Sequence, residues 1–203
     1  MAIACYKGLN SFKLTVLIPI LVITNLVETL GANYIPLFHS KNNHFIYNIY
    51  YLVSTPFYFY LFASMLGGRR MERIRIFTLA TAVELFMLVD CCFIQGWDDF
   101  NTYSALLVAL ACIILSCLVL ARLAVRIDDE TGLLQNPVFW VNALTLLFNL
   151  VSLLILGMYK YIVQDQIELS HKNLYLAIVP AANAVLYTGY SCAFLLCQLQ
   201  RTK

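Results

Sequence analysis

Six stretches of about twenty residues, each nearly free of charge, recur along this chain, and they leave little choice of solvent. They cover about 12–32, 46–66, 76–95, 103–123, 137–159 and 174–197. A helix rises ~1.5 Å per residue, so each stretch is long enough to cross the hydrocarbon of a bilayer. Only a helix satisfies its own backbone hydrogen bonds there, and no barrel-like alternation is visible. Of the 203 residues, 62% are hydrophobic and 12% charged, with mean hydropathy +0.79. A water-soluble domain carries roughly a quarter charged residues. The sequence therefore predicts an all-α polytopic bundle of about six spans, built as one integral membrane domain over 1–203. No low-complexity linker, internal repeat or cleavable signal pattern is apparent, and the first apolar run reads as a retained span.

Lysine and arginine placement sets the expected orientation. With the N-terminus in the cytoplasm, ten of the thirteen basic residues fall inside: Lys7, Lys13, Arg69, Arg70, Arg73, Arg75, Arg122, Arg126, Arg201 and Lys203. Lys41, Lys160 and Lys172 fall outside, with the acidic Asp98–Asp99 pair. An even number of spans returns the C-terminus to the cytoplasm. Tyr34, Phe45, Tyr47, Trp97, Phe100, Tyr103, Trp140, Tyr159 and Tyr161 gather at the expected interfaces, as amphipathic aromatic rings do.

Acids inside spans carry the most chemical information. An ionised carboxylate at mid-bilayer costs on the order of 2.5–3.5 kcal/mol on insertion scales. Glu28, Glu84 and Asp90 lie inside, while Lys13 and Arg122 sit at span ends where they snorkel. The acids must be neutral, hydrogen-bonded, or facing a wet cavity or cation. Glu84 and Asp90 are about 120° apart around one helix, so they share no face. Asn25 and Glu28 do share one. Asn25, Glu28, Asn48, Tyr51 and Asp90, with Asn183, are expected to line a crevice open to the outer leaflet. It would serve a proton, a cation or a small polar ligand. The alternative is that these groups only glue the bundle by hydrogen bonds.

Pro56 and Pro180 interrupt the second and sixth spans. Ala177, Ala181, Gly189 and Ala193 give the sixth span a small-residue face suited to close packing, within the chain or in a homo-oligomer. The fourth span, rich in Leu, Ile, Val and Ala, is expected to be the most lipid-exposed. Arg69, Arg70, Arg73 and Arg75 form the densest charge cluster. They suit anionic lipid head groups or a cytoplasmic protein partner, or serve only to pin topology. Seven cysteines without a CxxC pair point to packing rather than a disulfide framework or zinc. His39 and His44 reach a metal only with help from Glu28 or Asp98, a weak signal. No metal, cofactor or catalytic residue is assigned. No phosphate-binding glycine loop, GxSxG, HExxH or haem-attachment motif occurs.

Tyr47-Asn48-Ile49-Tyr50, Phe100-Asn101-Thr102-Tyr103 and Pro137-Val138-Phe139-Trp140 open three successive spans. In this order they resemble a group of small, uncharacterised multi-span membrane proteins of Bacteroidota. That resemblance implies a bacterial inner membrane and brings no activity. Members often carry one further N-terminal span, which Met1 to Ser11 does not supply. Size and span number are also similar to the membrane accessory proteins beside type VI-B CRISPR RNA-targeting effectors. Three functions stay open: a non-enzymatic accessory, sensing or regulatory protein; a small transporter or channel using the carboxylates; and an intramembrane lipid hydrolase. Direct nucleic-acid binding is not expected, because a net charge of +2 is too small to drive it.

Overall fold

The computed structural model describes residues 6–38, 42–66, 70–126, 132–164 and 169–201; for 126, 159–164, 169–177, 179 and 201 only the backbone is described. The described chain is almost wholly helical and contains no strand. In order it holds α1 (Tyr6–Ser11), α2 (Leu17–Phe38), α3 (His44–Leu66), α4 (Arg70–Val89), a π-helical turn (Asp90–Ile94), α5 (Thr102–Arg126), a 3-10 turn (Leu133–Gln135), α6 (Pro137–Gln164) and α7 (Leu169–Arg201). Five helical stretches among the described residues are long and apolar enough to cross a membrane: Leu17–Phe38, His44–Leu66, Arg70–Ile94, Thr102–Val125 and Pro137–Met158. This is the build of an integral membrane protein. The expected sixth span, 174–197, lies within α7, which is helical throughout.

Helix ends differ from the sequence expectation for identifiable reasons. The first span was expected from residue 12, but α1 stops at Ser11 and α2 starts at Leu17. Lys13 adopts φ 60°, the left-handed region. The Leu14 N–H donates to Leu9 O at 2.8 Å and the Lys13 N–H to Asn10 O at 3.2 Å. These two bonds make a Schellman stop, with Leu9 and Leu14 both fully buried. At its other end α2 continues to Phe38, through Pro36 and into the expected loop. Likewise α4 begins at Arg70, so Arg70, Arg73 and Arg75 are helical rather than in a loop.

The chain divides into two compact units, one formed by 15–108 and the other by 1–14 with 109–203. In the first, α3 packs against both α2 and α4. Ile76, Ala80, Val83 and Met87 form the buried face of α4, at the 3–4 spacing of a helix packed on one side. Gly31 of α2 is buried under the Tyr47 ring: a Cβ there would lie 2.8 Å from the hydroxyl oxygen. The Thr24 and Tyr50 hydroxyls meet at 3.0 Å, and Asn43 Nδ2 donates to Gly31 O at 3.1 Å, fixing the α2–α3 hairpin.

In the second unit α6 packs against α7, and α1 packs on the C-terminal part of α7. Thr145 and Tyr190 hydroxyls meet at 2.6 Å between α6 and α7. Gly189 faces Leu144, and Ala193 is fully buried. Two members of the expected small-residue face are thus used inside the chain. The expectation that the fourth span is the most lipid-exposed is overturned. Half of α5's membrane window is buried, the largest share of the five, against 11% for α2. Ala105, Ala109, Ala111, Cys112 and Ser116 of α5 are all buried. Their small side chains allow close backbone approach, which apolarity alone does not reveal.

Candidate functional site

Asn48 and Asp90, expected to line a crevice, are drawn into one hydrogen-bonded knot at the start of α5. The π-helical turn creates it. The Gln95 N–H reaches back to Asp90 O at 2.9 Å, and Gly96, at φ 82°, turns the chain where a side chain would be strained. Asp90 is fully buried. Its Oδ2 accepts the Ser104 hydroxyl at 2.5 Å and the Ser104 N–H at 3.1 Å. Gln95 Oε1 accepts the Tyr103 N–H at 3.1 Å. The first N–H groups of a helix have no partner within it, and here Asp90 and Gln95 supply two from outside. A carboxylate is also favoured at that end by the helix dipole.

Asn48 ties the preceding loop to the same point. Its Nδ2 donates to Asp99 O at 2.8 Å and to Trp97 O at 3.4 Å, and its Oδ1 accepts the Asn101 N–H at 3.1 Å. Asn101 Nδ2 contacts Cys91 Sγ at 2.6 Å. Two acceptors in this knot, Asp90 Oδ1 and Asn101 Oδ1, are buried with no hydrogen-bond partner. Either could take a bond from a proton-bearing or cationic guest. Around the knot gather Phe45, Trp97 and Phe100 of the expected interfacial aromatics: Phe45 with Trp97 at 5.8 Å, and Phe100 with Tyr51 at 6.1 Å and with His44 at 6.2 Å between ring centres.

The other expected site residues lie elsewhere. Asn25 and Glu28 are exposed on α2. Glu84 is half-buried on α4, with one carboxylate oxygen buried and unpaired. Asn183 is half-buried on α7, in the other compact unit. Arg70, Arg73 and Arg75 are exposed on the first two turns of α4, while Arg69 lies outside the described residues. His39 also lies outside them, and among the described residues no three His, Cys, Asp or Glu side chains form a metal-binding group.

Sequence reasoning missed Gln95 and Ser104, the partners that give Asn48 and Asp90 their roles. An Asn-Thr pair at the head of an apolar run does signal a helix start, but not what caps it. It also missed an apolar cleft of about 270 Å³ between α6 and α7, lined by Leu144, Phe148, Val151, Ala182 and Leu186 among others. Compared with protein-family models, with curated proteins and with solved structures, the chain gave no match.

Proposed function

We propose that this chain is a non-enzymatic accessory or regulatory protein of a bacterial inner membrane, crossing it six times with both termini in the cytoplasm, and that it engages a cytoplasmic protein through the start of α4. The exposed triad of Arg70, Arg73 and Arg75 carries this reading. Cations at a helix N-terminus work against the helix dipole, and Glu72 is the lone acid in that first turn. Two exposed apolar residues, Met71 and Ile74, stand between the arginines. A helix start that is unfavourable by itself, cationic and partly apolar suits an acidic protein surface. Modulation of a type VI-B RNA-targeting effector is one form of such a role, supported by size and span number.

A photoreactive residue at Met71, activated in living cells, tests this. The expected product is one discrete protein adduct that disappears in the Arg70→Glu/Arg73→Glu/Arg75→Glu variant. Adducts with lipid alone would instead leave the arginines a topological and head-group role. The buried unpaired oxygens of Glu84 and Asp90 favour a second reading, a small channel or transporter. Under it, Glu84→Gln abolishes ion flux in reconstituted vesicles; under the accessory reading no such flux exists to lose.

A further inference from the structure

We infer that α2 joins two copies of this chain inside the membrane, through a polar ladder of Asn25, Thr29 and Asn33. At 100° per residue, the α2 face that meets α3 through Thr24 and Gly31 also carries Ile20 and Val27. Asn25, Thr29 and Asn33 point to within about 50° of the opposite direction. All three are exposed, as are Val22 and the small Ala32 beside them. The ladder is already joined lengthwise: Thr29 Oγ1 donates to Asn25 O at 2.8 Å, and Asn33 Nδ2 to Thr29 O at 2.7 Å. Asn25 Oδ1, the second N–H of each amide and the lone pairs of Thr29 stay available to an outside partner.

Hydrocarbon offers such groups nothing, whereas polar and small side chains are what membrane helices use to associate. The partner chemistry is set by the ladder itself. The asparagine rungs both donate and accept while Thr29, its proton already given to Asn25 O, accepts, so the face complements a copy of itself and calls for no counter-charge. Copies inserted in one orientation meet with parallel helices, which brings Asn25 opposite Asn25, Thr29 opposite Thr29 and Asn33 opposite Asn33 about a twofold axis. The four-residue spacing is that of close, right-handed crossings in membranes. This inference needs the membrane but not the arginine cluster, so either can fail alone.

Two measurements test it on the full chain. A photoreactive residue at Thr29, activated in native membranes, is expected to give an adduct of twice the chain mass containing only this protein. Resonance energy transfer in lipid vesicles is expected to show the Asn25→Leu/Thr29→Leu/Asn33→Leu variant dimerising at least about tenfold more weakly, while Leu30→Ala, on another exposed face, does not. An adduct within a single chain, an adduct to a different protein, or a triple variant that dimerises like the wild type overturns it.

Discussion

Single residues decide where this chain bends and what its buried acids do. Lys13 occupies a left-handed position that glycine adopts without penalty, at a cost of roughly 1 kcal/mol. Lys13→Gly should therefore raise the unfolding midpoint in detergent, and a lower midpoint would show the lysine side chain to matter more than its backbone. Asp90 was legible as an acid inside a span because its position in an apolar run is plain, but not as a buried one. Its role was not, because the Ser104 groups it binds lie fourteen residues on, across a π-helical turn that no periodicity announces. Removing the carboxylate leaves a buried N–H and hydroxyl unpaired. Asp90→Ala should cost about 2–3 kcal/mol in equilibrium unfolding, and Asp90→Asn about half of that because an amide oxygen still accepts. An alanine variant as stable as the wild type would remove the helix-capping role.

At the scale of helices, the apolar runs located five membrane-length stretches to within six residues at each end, since length and charge are properties of the sequence itself. Which face of each helix is covered was not readable in the same way. Lipid and protein interior are equally apolar, so the burial of α5 reversed what hydrophobicity suggested. The Asn25, Thr29 and Asn33 spacing was present in the sequence but was obscured by assigning Asn33 to a loop. Close packing is better marked by glycine. A Cβ on Gly8 of α1 would lie 2.9 Å from the Cys197 carbonyl oxygen of α7, whereas one on Gly157 of α6 would meet nothing within 4 Å. Gly8→Ala should destabilise by about 1–3 kcal/mol. Gly157→Ala should be neutral or stabilise by up to about 1 kcal/mol, and thermal unfolding of the two variants side by side checks the contrast.

For the molecule as a whole, the proposed function depends on a charge asymmetry across a membrane. The arginines at the start of α4 and the acidic pair after the π-helical turn sit at opposite ends of one helical stretch, Arg70–Ile94, that is long enough to cross. In the proposed orientation the arginines face cytoplasmic partners while Asp98, whose backbone carbonyl accepts from Asn42, belongs to the outer surface. The most direct measurement is labelling of Arg70→Cys and Asp98→Cys variants in intact spheroplasts with a membrane-impermeant maleimide, read against the wild-type background. Asp98→Cys should label at once and Arg70→Cys only after the membrane is opened; labelling of both positions from the same side would contradict the account.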